Sequence, residues 1–108
     1  MTAIQPALDG TVPQPAARRR VEDYEAWVAE VRPTFEEIAA AGTRFVSWRV
    51  KEQYRLPDPP DPAHDWGRLL GQLRHDGLLR YDGWSTTRDR SGVRAWRGTR
   101  AARREVTA

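Results

Sequence analysis

The chain has 108 residues, a net charge of +3, 31% charged and 39% apolar residues, and no cysteine. That length holds one small domain with a modest core, and the lack of cysteine excludes a disulfide framework and any thiolate metal site. No apolar run approaches the roughly 20 residues of a membrane span, and residues 1–10 lack a basic stretch followed by an apolar one, so no secretory signal and a cytoplasmic location are expected.

Residues 1–20 contain Pro6, Gly10, Pro13 and Pro15 and show no hydrophobic periodicity, which reads as a disordered leader. It ends in Arg18-Arg19-Arg20, suited either to a phosphate backbone or minor groove or only to a solvated approach to the first helix. Val21, Tyr24, Trp27, Val28 and Val31 trace one apolar stripe, so the spacing predicts a helix over 21–31. Glu22, Asp23 and Glu25 sit near its N-terminal end, where the helix dipole favours them. Pro33 is expected to separate this helix from a second one. Thr34 and Glu37 fit a capping box, Phe35, Ile38 and Ala39 form an inner face, and Gly42 suits the C′ position. One long helix kinked at Pro33 is the alternative.

Arg44-Phe45-Val46 suits a short strand that pairs with a later hairpin. Ser47 is a candidate N-cap for a helix from Trp48 to Arg55, with Val50 and Tyr54 facing inward. Pro57, Pro59 and Pro60 then forbid both helix and central strand. Asp61 followed by Pro62 marks the next helix start. In that helix, about 62–76, Trp66, Leu69, Leu70 and Leu73 share one face and Arg68, Gln72 and His75 another. Gly77 ends it. Leu78–Trp84 and Val93–Arg97 read as two strands joined by the polar loop Ser85–Gly92, and residues 99–108 read as a flexible basic tail. The fold class expected is mainly α with a small β-hairpin, α+β overall.

Charge is unevenly distributed. Residues 21–63 hold nine acidic and five basic groups, whereas residues 64–104 hold ten arginines against four aspartates. A positive helix and hairpin make the electrostatic footprint of a nucleic-acid face. Arginine outnumbers lysine 17 to one, which fits bidentate contacts and equally fits a GC-rich genome. Gly67 and Gly71 each weaken the helix by about 1 kcal/mol relative to alanine. Close approach of a phosphate backbone, or packing against another helix, would account for that. Trp27, Trp48 and Trp66 read as core residues, with a surface position as the alternative for Trp48, next to Arg49. Trp84 and Trp96 read as core too, with stacking of the pair on a base or sugar as the alternative.

Little points to an enzyme: there is no cysteine nucleophile, no G-x-S-x-G elbow and no glycine-rich phosphate loop. Asp58, Asp61 and Asp65 near His64 read as turn and cap residues. His64 and His75, eleven residues apart on one helix, cannot share a metal. No cofactor is expected.

The order helix, short strand, helix, turn, helix, hairpin over Thr34–Gly98 resembles the winged helix-turn-helix superfamily. The sharper part is Trp66-Gly67, Leu70, Leu73, Gly77-Leu78-Leu79, the loop Ser85-Thr86-Thr87-Arg88, and the closing Val93-Arg94-Ala95-Trp96-Arg97. This pattern is similar to small winged-helix proteins encoded by actinobacteria and their phages, which carry a V-x-V-W-R closing strand; Ala95 stands in place of the second valine. The resemblance implies a winged-helix domain over 21–98, with the helix 21–31 as an addition. It further implies that the third helix enters the major groove of double-stranded DNA while the basic wing, 85–94, meets the backbone or minor groove. The expected DNA-contacting residues are Arg68, Gln72, Arg74 and His75 on the helix, and Thr86, Thr87, Arg88, Arg90 and Arg94 on the wing. A transcriptional regulator or a phage-type accessory factor is the role expected. The alternative is a protein-interaction module, with the acidic, aromatic helix 21–31 docking on a partner or forming a homodimer.

Overall fold

A computed structural model describes residues 15–87 and 91–107, with side chains from 17 to 103 within them. The fold is α+β: four helices and one two-stranded antiparallel hairpin. Helix α1 spans Pro15–Ala41, α2 Ser47–Tyr54 and α3 Asp65–His75; strands β1, Leu79–Thr86, and β2, Gly92–Gly98, form the hairpin; helix α4 spans Arg100–Thr107. Phe45 adds a one-residue antiparallel bridge to Trp96, on the free edge of β2.

Helix α1 runs through Pro33 as one helix, the alternative to the two helices expected on either side of it, and it begins within the stretch expected as a leader. Arg18, Arg19 and Arg20 are therefore exposed residues of its first turns. An interior proline costs about 3 kcal/mol through the lost hydrogen bond and the clash with residue i−4. Here Pro33 and Ala29, whose carbonyl loses its partner, are both exposed, so water replaces the missing donor. The apolar stripe meanwhile keeps its phase across the proline: Trp27, Val31, Phe35, Ile38 and Ala39 are all buried in one cluster. Burying that stripe as a unit outweighs the break. Thr34 lies inside the helix, so the expected capping box does not form.

The core brings that stripe against Phe45, Val50, Leu69, Leu70, Leu73, Leu79 and Trp96. Trp27 meets Trp66 edge-on at 4.9 Å and donates its indole N–H to the Pro57 carbonyl at 2.8 Å, which pins the proline-rich turn to α1. Helix α2 ends on Arg55 in the left-handed region, φ 54°, with Arg55 N–H donating to Glu52 O and Leu56 N–H to Lys51 O. Val50 is buried as expected, but Tyr54 points outward, 47% exposed. Helix α3 starts at Asp65, later than Pro62. Asp61 instead opens a preceding turn, and the buried Asp65 carboxylate accepts the Asp61 N–H at 2.9 Å. Gly77, at φ 83°, closes α3 with a Schellman pair of bonds, Leu78 N–H to Leu73 O and Gly77 N–H to Arg74 O.

The tail expected to be flexible is helix α4, packed on α1 with Ala102 buried. Thr99 nucleates it: its hydroxyl accepts the Ala102 N–H at 3.1 Å and donates to Gly77 O at 2.6 Å. Just before it, Gly98 passes so close to α1 that a methyl group there would collide with the Ala39 carbonyl. Among the described residues no helix is long and apolar enough to cross a membrane.

Candidate nucleic-acid interface

Helix α3 buries Leu69, Leu70 and Leu73 and half-buries Trp66, which leaves Gly67, Arg68, Gly71, Gln72, Arg74 and His75 exposed. Arg68, Gly71 and His75 follow i, i+3, i+7 spacing and line the outward stripe. A Cβ built on Gly67 or Gly71 meets nothing within 4 Å. Packing against another helix therefore does not explain either glycine. They leave a bare strip of helix backbone open to the outside.

The flanks of α3 differ. On the α1 side, the Arg68 guanidinium lies 4.0 Å from the Tyr24 ring centroid, and Gln72 donates to Asp76 at 2.9 Å. A depression of about 200 Å³ between the helices is lined by Tyr24, Glu25, Val28, Arg32, Arg68, Leu69 and Gln72. Burial pushes the Tyr24 phenol above its ordinary pKa, partly opposed by Arg68. Thus the aromatic residues of 21–31 face inward: Trp27 is in the core and Tyr24 carries Arg68. On the hairpin side, Arg74 lies 4.4 Å from the Tyr81 ring.

The hairpin continues this surface. Tyr81 pairs with Trp96 and Trp84 with Arg94, and the register shifts between Tyr81 and Trp84. Asp82 and Gly83 thus face the single residue Ala95, a bulge for which Gly83 supplies φ 85°. In an unbroken ladder Trp84 would oppose Val93 and point to the other face. The extra residue turns it onto the face of Tyr81, Arg94 and Trp96. At the base of the hairpin that face is core, with Leu79 and Trp96 buried. Further out it is open, with Tyr81 40% and Trp84 64% exposed. Arg94 lies 3.9 Å from the Tyr81 centroid and 4.7 Å from that of Trp84. Arg74, Tyr81, Arg94 and Trp84 form a continuous ladder from the end of α3 into the hairpin.

The opposite face of the bulge is clamped. Arg44 donates from Nε to Asp82 O at 3.0 Å and from Nη2 to Trp84 O at 2.9 Å. Arg97 binds the Asp82 carboxylate at 2.9 Å and Gly42 O at 2.8 Å. Arg97, first by its hydrogen bond, then Arg80 and Arg44 hold the Asp82 carboxyl below its usual pKa. Gln72 and Arg32 do the same for Asp76. Asp76 and Asp82 are thereby ion-paired, whereas Arg68, Arg74 and Arg94 make no salt bridge among the described residues.

Of the residues singled out from sequence, Arg68, Gln72, Arg74 and His75 are exposed together on α3, and Arg94 joins them from β2. Thr86 is exposed, and its carbonyl accepts the Trp48 indole N–H at 3.2 Å. The Thr87 hydroxyl accepts the Ser91 N–H at 3.0 Å and donates to Ser91 O at 3.3 Å, bracing the tip. Arg88 and Arg90 lie outside the described residues. Trp84 is surface rather than core, because the bulge turns it outward. Tyr81 and Arg44 were not picked out; Gly83 inside a strand-like run was the signal for a bulge. No group of three or more His, Asp or Glu among the described residues is arranged to hold a metal. Asp61 and His64 meet at 2.9 Å as turn partners.

Comparison with known proteins brings no match: no protein-family model, no curated protein and no solved structure matches this chain.

Proposed function

We propose that the protein is a winged helix-turn-helix that binds double-stranded DNA, with α3 directed at the major groove and the hairpin serving as the wing. The element order, α1, bridge, α2, α3, hairpin, supports the winged-helix reading. The observation that carries the DNA reading is the continuous exposed surface of α3 and the hairpin. On it Arg68, Arg74 and Arg94 lie over aromatic rings and have no carboxylate partner among the described residues. A guanidinium held over a ring face is restrained in position yet can still offer N–H donors, which suits phosphate oxygens and guanine edges. The bare backbone at Gly67 and Gly71 allows close approach of a groove wall. By the resemblance described above, the role is that of a transcriptional regulator or a phage-type accessory factor.

The test is binding to duplex DNA across a salt series. Each phosphate contact contributes about 0.9 to the slope of log affinity against log salt. Arg74→Ala with Arg94→Ala is expected to weaken binding and reduce the slope by about 2. Wild-type protein that ignores duplex DNA at low salt, or a double variant with unchanged slope and affinity, would refute the reading.

A further inference from the structure

Trp84 is the most exposed large apolar residue described, and its orientation is built rather than incidental. The bulge at Asp82-Gly83 turns it outward, Arg44 holds the carbonyls of Asp82 and Trp84, and Arg97 ties Asp82 to the end of α1. On β2 the diagonal neighbour on the same face is Gly92, which lacks a side chain to cover the ring. A Cβ there would come within 3.9 Å of Trp84 Cε3. The backbone of Trp84 is thus held, the Arg94 guanidinium lies over its ring 4.7 Å from the centroid, and the rest of the indole is an exposed flat platform.

We infer that Trp84 stacks on an unpaired or terminal base, so that the wing recognises a junction between duplex and single-stranded DNA rather than uninterrupted duplex. The inference rests on the DNA-binding reading above. Inside a duplex each base face is covered by its neighbours; a strand end or unpaired nucleotide leaves one open, and stacking it on an aromatic side chain is favourable for any base. Charge complementarity selects the occupant, because the Arg94 guanidinium lies at the platform and can hold a phosphate of the stacked nucleotide, with Arg74 farther along the same ladder, over Tyr81, toward α3. The surface of α3 would grip the adjoining duplex.

Two DNAs of identical paired sequence separate the possibilities: one closed at both ends by hairpin loops on inert linkers, and one with a four-nucleotide single-stranded overhang. Affinities are measured at fixed salt with tryptophan emission followed in parallel. The wild type is expected to prefer the overhang DNA by about tenfold or more, as one stacked base implies. Trp84→Ala should equalise the two DNAs, Trp84→Phe should keep most of the preference, and Gly92→Leu, which covers the ring, should lower it with the indole intact. Equal wild-type affinity for both DNAs would overturn the inference and leave the duplex-binding reading standing, as would a preference that survives Trp84→Ala. Binding to neither DNA would overturn both.

Discussion

Replacing Gly67 and Gly71 by alanine separates what helix α3 needs for stability from what its surface needs for contact. Neither glycine adopts a left-handed conformation, and an added Cβ at either meets nothing within 4 Å. The change therefore acts through helix propensity and the entropy of the unfolded chain. Gly71, in mid-helix, should yield about 1 kcal/mol, and Gly67, in the first turn, about half of that. The sum, about 1.5 kcal/mol, corresponds to a rise in Tm of roughly 6–12 °C for a domain of this size. Thermal unfolding followed by circular dichroism measures it. Gly71→Leu extends the test to function: it should also stabilise, because leucine is a good helix former. Yet its side chain projects from the outward stripe and should weaken DNA binding about tenfold. A fall in Tm for the double alanine variant would show that the glycines serve the fold and would refute the open-face reasoning. A stabilised Gly71→Leu protein with unchanged affinity would show that DNA does not approach this strip.

Gly98→Ala should behave in the opposite way, because its methyl group meets the Ala39 backbone rather than a side chain able to move. A loss of about 3 kcal/mol is expected in denaturant titration, and native-like stability would mean that β2 and α1 do not meet there. Thr99→Ala removes the N-cap of α4 and the bond to Gly77 O. It should cost about 1–2 kcal/mol, with a loss of helical circular dichroism. Asp76 and Asp82 have folded pKa values below their unfolded ones. Their contribution is present above the unfolded carboxylate value of about 3.9 and disappears as pH falls through the folded values. Stability should then be level near neutrality and fall below about pH 4. Asp82→Asn should be less stable than wild type at neutral pH and lose less on acidification. An unchanged acid limb in that variant would remove Asp82 from the explanation.

Much of the architecture was legible because periodicity and turn chemistry agreed. The stripe Trp66, Leu69, Leu70, Leu73, stopped by Gly77, specified α3, and the run Val93–Arg97 after the polar loop located β2. At Pro33 two local rules competed, and the continuous phase from Val31 to Phe35 and Ile38 prevailed over the proline. The last helix was legible in principle: Thr99 ahead of an alanine- and arginine-rich run is an N-cap before good helix formers. Reading polar sequence as flexible concealed it, since Ala102 buries only a small face. In the candidate site, exposure of Arg68, Gln72, Arg74 and His75 followed from the helix period. The side of the hairpin on which Trp84 lies did not, because a single extra residue reverses it and depends on Arg44, some forty residues away in sequence. No local pattern carries such a contact.

Helix α1 contacts α3, β2 and α4, and the hydrogen bonds that tie it and the residue after it to the rest close long stretches of chain: 30 residues for Trp27 with Pro57 and 55 for Arg97 with Gly42. By contrast, α3 and the hairpin are joined by near-neighbour contacts. Local pairs form faster than distant ones, so α3 with the hairpin is expected to take shape before α1 docks on it. In native-state hydrogen exchange, amides released by undocking of α1 should report a common opening energy below that of the hairpin ladder. A partner that grips both α3 and the hairpin would raise that energy without touching α1.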